Sequence, residues 1–240
     1  MKSKKLHYIL VLLLSANCTY HPYVPPGEII SIESPATLEK NKFSVSGVYG
    51  GAGEMLSYGV TNSWVKVKYG LTNAFELSLS SSGIFDEDTM KTVVDYKRYS
   101  LGGYLSSKMV LVPKIASVRG GIGIGFSDLG NYANTDIGIV LGWENRFVVP
   151  LCQFDMFAGE PFNPQFHDLS YSSDGAGTHL YKPEQTFGLR INSGAKFPVS
   201  SWFGYGNKFN MYGVYGILLA KDLTESDNFI SLGCGIEYQF

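Results

Sequence analysis

Ile230-Ser231-Leu232-Gly233-Cys234-Gly235-Ile236-Glu237-Tyr238-Gln239-Phe240 alternates without a break. Ile230, Leu232, Cys234, Ile236, Tyr238 and Phe240 share one parity, and Glu237 and Gln239 lie on the other. A period of two marks a β-strand with two unlike faces, because successive side chains point to opposite sides of the backbone. A slip of one residue would carry Glu237 to the apolar side, so the register of such a strand is strongly specified.

Toward the N-terminus the pattern recurs, giving ten strand-like segments from Phe43 onward. Their apolar faces carry Phe43, Val45 and Tyr49; Val65, Val67 and Tyr69; Phe75, Leu77 and Leu79; and Tyr99 and Leu101. Then come Val118, Ile122, Ile124 and Phe126; Ile137, Ile139, Leu141 and Trp143; Cys152, Phe154 and Met156; Phe187, Leu189, Ile191 and Phe197; and Met211, Tyr215, Ile217 and Leu219. The opposite face collects Lys66, Lys68, Glu76, Arg98, Arg119, Asp136, Asp155, Arg190, Lys196 and Glu237, while Lys97 and Lys114 sit at strand ends. The same polar face is rich in Gly, including Gly121, Gly138, Gly142, Gly194, Gly216 and Gly233.

Composition agrees with strands. There are 28 Gly, 16 Tyr and 15 Phe in 240 residues, with only 17% charged. Gly and aromatics disfavour helices, and the apolar content is too high for disorder. A net charge of -2 gives no reason to expect a nucleic-acid partner.

A soluble barrel points its apolar face inward, and a membrane barrel points it at lipid around a polar interior. Wide apolar faces, aromatics near strand ends and small residues among the charges favour the second. Lipid tolerates no open sheet edge, so the strands must close. The expected fold is all-β: a closed antiparallel up-and-down transmembrane β-barrel of ten strands, with eight as the alternative. The ten polar-face charges are expected to form a lumen network. Loop parity puts the tight turn at 70–73 on one side and the long loops 81–95 and 159–184 on the other.

Two segments carry resemblances. Gly235-Ile236-Glu237-Tyr238-Gln239-Phe240 resembles the C-terminal assembly signal of bacterial outer-membrane proteins, with Gly235, Tyr238 and Phe240 as its marks. That resemblance implies the barrel-assembly machinery and outer-membrane lipid as partners. At the other end, a basic start with three lysines and the apolar run 6–14 describe a secretory signal peptide, too short to span a bilayer. Leu14-Ser15-Ala16-Asn17-Cys18 resembles a bacterial lipobox of the relaxed spirochaete type, Asn17 departing from the usual small residue. That resemblance implies acylation of Cys18, as by palmitate. The domains expected are a signal peptide over 1–17, an acylated Cys18 with a flexible, proline-bearing tether over 18–40, and the barrel over 41–240.

No catalytic constellation, metal site or cofactor emerges. His167, Asp168, Asp174 and His179 lack fixed ligand spacing, the acidic tip Asp86-Glu87-Asp88 reads as solvated charge, and no His falls on a strand to serve a nucleophile. Cys152 and Cys234 read as unpaired apolar-face residues. The leading expectation is an outer-membrane barrel with a structural, surface-interaction or narrow-pore role, any extracellular ligand meeting loops 81–95 and 159–184. Alternatives are a soluble lipid-tethered barrel holding an apolar ligand and a membrane-embedded lipid hydrolase or acyltransferase.

Overall fold

The computed structural model describes residues 28–53, 59–87, 97–127, 130–164, 167–169, 179–181, 184–206, 208–221 and 226–240. Ten strands close a barrel: β1 (Phe43–Gly53), β2 (Gly59–Thr72), β3 (Phe75–Glu87), β4 (Lys97–Val112), β5 (Ala116–Ser127), β6 (Gly130–Gly142), β7 (Val149–Pro164), β10 (Thr186–Phe197), β11 (Phe209–Lys221) and β12 (Ser226–Gln239). Between β7 and β10, β8 (His167–Leu169) and β9 (His179–Tyr181) form a separate antiparallel pair. Each barrel strand is antiparallel to the next barrel strand along the chain, β7 pairing with β10, and β1 closes on β12 from Ser44↔Gln239 to Gly53↔Ile230. Closure leaves no row of unpaired backbone groups, which is the condition a sheet must meet in hydrocarbon.

Local chemistry makes one end of the barrel compact. Thr72 Oγ1 accepts from the Ala74 amide at 3.2 Å in the β2–β3 turn. Lys114, in the β4–β5 turn, takes a positive φ of 66°. The Asn145 side chain braces the β6–β7 connection, donating to Val148 O at 2.7 Å and accepting from the Phe147 amide at 2.8 Å. In the β10–β11 connection, a short helix α1 (Val199–Trp202) is tied down by Ser200 Oγ, which accepts from the Lys208 and Phe209 amides at 2.9 Å each. At the opposite end, Gly130 supplies the φ of +113° that opens β6.

The apolar parity faces outward. Ile122, Ile137, Met156 and Leu232 are each more than 60% exposed, while Lys66 and Arg190 on the other parity are at 0% and 1%. This inverts the arrangement of a soluble globular domain, whose apolar side chains fill the interior, and charges buried this fully must be paired.

Several expected boundaries shift. β3 runs to Glu87 and β7 to Pro164, so the long loops begin later than 81 and 159. β5 ends at Ser127 and β6 starts at Gly130, so the two strands meet across a short connection. β4 continues well past Leu101 to Val112, leaving a tight turn before β5 begins at Ala116. In each case ladder hydrogen bonds carry the strand past the point where side-chain alternation weakens. The largest correction concerns 18–40. Within this expected tether, residues 28–35 are buried, and the segment lies inside the barrel.

Candidate functional site

The inserted segment reaches the lumen from the compact end. At the rim, the Lys40 amide donates to Asn73 Oδ1 at 2.9 Å, Thr37 Oγ1 donates to Asn73 O at 2.8 Å, and the Leu38 amide donates to Glu76 Oε2 at 2.8 Å. Deeper, Lys108 Nζ donates to Ser34 O at 2.9 Å and Lys196 Nζ to Ser34 Oγ at 3.0 Å. Arg119 Nη1 donates to Ser31 Oγ at 2.6 Å, and Asn192 Nδ2 donates to Ser31 O. Trp64 Nε1 donates to Ile30 O at 2.6 Å. These donors satisfy an irregular backbone that would otherwise be costly to bury.

Wall glycines make room for the segment's side chains. A Cβ at Gly233 would meet Ile30 Cγ2 first, at 3.0 Å; one at Gly194 would meet Gly213 O and also Ile32 Cδ1 at 2.7 Å, and one at Gly142 would meet Pro150 O at 2.7 Å and Pro35 Cδ at 3.1 Å. Ile29, Ile30 and Ile32 join Val48, Trp64, Phe157, Val214 and Leu218 in one apolar cluster.

Charges organise the rest. Lys66 Nζ lies 2.7 Å from Glu28 Oε1 and 2.7 Å from Glu33 Oε1, all three residues at most 3% exposed. Arg119 Nη1 is 3.5 Å from Glu28 and 3.4 Å from Glu33, and its Nη2 is 3.3 Å from Asp136. Lys108 bridges Glu33 at 3.4 Å and Glu76 at 2.8 Å. Arg190 Nη2 meets Asp136 at 3.1 Å and Asp155 at 2.7 Å. Lys68 pairs with Glu237 at 3.0 Å, Tyr212 donates its hydroxyl proton to Glu237 Oε2 at 2.5 Å, and Lys196 pairs with Glu144 at 2.7 Å.

Glu28 and Glu33 sit on the inserted segment, outside the strands. Burial pushes both carboxyls up, but Lys66 and Arg119 outweigh it at Glu28 and bring its pKa down to about 2. Glu33 is opposed by the same burial and held well below the usual carboxylate range by Lys66, Lys108 and Arg119.

Lys66, Lys68, Glu76, Arg119, Asp136, Asp155, Arg190, Lys196 and Glu237 therefore sit in the lumen within ion-pair distance of named partners. Arg98 lies on β4 opposite Asp86 in register, and its side chain falls outside the described ones. Sequence reasoning missed Glu28, Glu33 and Lys108. Lys108 continues the parity of Arg98 along β4 and could have been found by extending that strand. Glu28 and Glu33 carry no local signal.

The remaining expected residues scatter. On β12, Gly235 faces inward, where a Cβ would meet Val48 Cγ2 at 2.5 Å. Tyr238 and Phe240 are 46% and 64% exposed, their rings 4.9 Å apart, and the Phe240 amide donates to Phe43 O at 2.8 Å beside the closing seam. Cys152 and Cys234 are free thiols. Cys18, Asp88 and Asp174 lie outside the described residues, as do the side chains of Asp86, Glu87, His167, Asp168 and His179. Among the described residues, no group of three or more His, Cys, Asp or Glu could hold a metal ion.

Fold and site together define a closed ten-stranded barrel with an apolar exterior and a charged lumen occupied by its own chain. No family model and no curated protein matches the sequence. Solved structures similar to the chain include the N-terminal β-barrel domain of Pseudomonas aeruginosa OprF, at 12% identity and a TM-score of 0.36, covering 85% of this chain and 100% of that one. Neisserial surface protein A is similar at 11% identity and a TM-score of 0.41, covering 83% and 96%. Ail, the attachment invasion locus protein of Yersinia pestis, is similar at 10% identity and a TM-score of 0.31, covering 85% and 100%.

Proposed function

We propose that this chain is an outer-membrane β-barrel lipoprotein of the bacterial envelope, plugged by its own N-terminal segment and serving a structural or surface role. The observation that carries this reading is the inverted polarity of the closed sheet. Apolar side chains over 60% exposed face outward on β3, β5, β6, β7 and β12, whereas the lumen holds nearly all-buried ion pairs. In water so large an exposed apolar surface would drive association, and in a bilayer it is the surface lipid requires. The same polarity speaks against a soluble barrel holding an apolar ligand, which needs those side chains to converge inside. An inserted segment whose backbone and carboxylates are bound from several sides favours a closed lumen over an open pore.

In this reading, Cys18 carries the acyl chains, the last strand is recognised by the assembly machinery through Gly235, Tyr238 and Phe240, and the strand extensions beyond residues 81 and 159 face the exterior. The chain is expected to fractionate with the outer membrane, to require detergent for extraction, and to show heat-modifiable gel mobility. Wild-type protein in planar bilayers is expected to give no steady conductance, and labelled palmitate should enter the chain but not its Cys18→Ser variant. A protein that stays dispersed in buffer without detergent would refute the membrane reading. A steady wild-type current would refute the plug.

A further inference from the structure

Among the described residues, Lys66 pairs with no carboxylate of the barrel wall; Glu28 and Glu33 of the inserted segment are its partners. These two residues are five apart on a non-helical stretch that bends at 29–30, where Ser31 Oγ donates to Glu28 Oε2 at 2.8 Å. Lys66 Nζ holds one oxygen of each at 2.7 Å, so those oxygens are at most twice 2.7 Å apart. Arg119 Nη1 reaches both, at 3.5 Å and 3.4 Å, and Lys108 takes the second oxygen of Glu33 at 3.4 Å. Ser80 Oγ donates to Glu28 Oε1 at 3.0 Å. Three cations and a hydroxyl on the wall thus surround two nearby carboxylates, at a spacing that one short dicarboxylate could supply; Lys108 also meets Glu76 at 2.8 Å and Arg119 meets Asp136 at 3.3 Å, which leaves Lys66 as the cation whose counter-charge comes wholly from the segment. Charge-assisted hydrogen bonds to fixed cations are the means by which such anions are recognised.

We propose that Lys66, Lys108, Arg119 and Ser80 form a binding site for a small dicarboxylate, and that Glu28 and Glu33 occupy it as an internal stand-in for the ligand. The proposal rests on the plugged-barrel reading and extends it: displacement of the segment exposes a site selective for a dianion. Unlike a closed salt-bridge lattice that only stiffens the barrel, this cation group should bind an added dicarboxylate once its internal anions are gone.

The test uses the full chain in detergent, with succinate as the probe and sodium chloride at matched ionic strength as the control. One variant carries Glu28→Gln and Glu33→Gln, and a second replaces residues 28–34 by alternating Gly and Ser. Succinate is expected to raise the unfolding midpoint of both variants beyond the effect of chloride, and to leave the wild type unchanged because its site is filled. Adding Lys66→Gln should weaken the apparent succinate affinity about tenfold or more. A variant that fails to fold without added anion should regain its heat-modifiable folded band when refolded in succinate. A response to succinate no larger than that to chloride, a response that survives Lys66→Gln, or no rescue of a misfolded variant overturns the site. Solubility without detergent or steady wild-type conductance would instead overturn the plugged-barrel reading, and the two failures are read from separate measurements.

Discussion

Replacing Lys66 by methionine isolates the central ion-pair group, because one ammonium serves two carboxylates. Each 2.7 Å contact represents about 6 kcal/mol of gross attraction at an effective dielectric near 20. Most of that gross term is offset by the several kcal/mol needed to strip water from each buried ion. Removing one partner of a buried pair nonetheless costs about 3–5 kcal/mol, since the charge left behind has lost its compensation. Here Arg119 still reaches both carboxylates at 3.4–3.5 Å and Lys108 reaches Glu33 at 3.4 Å. Lys66→Met should therefore cost about 3 kcal/mol, the low end of that range. The loss should fall on retention of the inserted segment before it falls on the barrel. Trp64 reports it, because its Nε1 donates to Ile30 O at 2.6 Å and Lys66 Nζ lies 4.8 Å from its ring centroid. With Trp143 and Trp202 changed to Phe, Trp64 emission during urea titration follows the segment, and far-ultraviolet dichroism follows the strands. Lys66→Met is expected to move the emission transition to lower urea and leave the dichroism transition near its wild-type position. Adding Glu28→Gln and Glu33→Gln should restore part of the loss, since contacting residues couple by about 0.5–3 kcal/mol. An emission midpoint equivalent to less than about 0.5 kcal/mol of change, or a triple variant no more stable than Lys66→Met, would refute the pairing as the force that holds the segment.

Gly233→Val should loosen the segment more than the barrel, because a Cβ there meets Ile30 Cγ2 at 3.0 Å and Ile30 Cδ1 at 3.3 Å against one wall atom, Tyr49 O at 3.2 Å; overpacking of about 1–3 kcal/mol should shift the Trp64 emission midpoint further than the dichroism midpoint. Glu28 has a folded pKa of about 2 against an ordinary 4.5, so its contribution to stability is present above 4.5 and is lost as pH falls from there through 2. Acid titration in detergent should therefore release the segment in that window, and a Glu28→Gln chain should show a smaller acid transition; an unchanged transition would exclude Glu28 as its source. Ile122 is 64% exposed near the middle of β5, so Ile122→Lys should destabilise the barrel by about 2–4 kcal/mol in vesicles, read by urea titration, and far less if that face meets water.

Period-two alternation was enough to fix much of this molecule. Glu237 between Ile236 and Tyr238, or Arg119 between Val118 and Gly120, leaves one consistent assignment of faces, and the requirement that strands close in lipid gives an even count. The inward parity of Lys66, Arg119 and Arg190 follows from those two constraints; ten and eight strands both satisfy them, and the closed ladder decides for ten. Strand ends were harder to read, because Gly130, Pro164 and Val112 lie where side chains stop alternating while backbone ladders continue. Lys108 was lost for that reason.

The identity of what fills the lumen was decided only by tertiary structure. The stretch from Thr19 to Lys40 has prolines, no alternation and no motif, so its local sequence reads as a tether. Yet the ten expected lumen charges comprise six cations, at Lys66, Lys68, Arg98, Arg119, Arg190 and Lys196, against four acids, at Glu76, Asp136, Asp155 and Glu237. A buried surplus of positive charge requires counter-charge from elsewhere. Alternation is a nearest-neighbour property that a sequence displays directly. The pairing of Glu28 and Glu33 with Lys66 spans more than thirty residues, and only closure of the barrel brings those groups within reach.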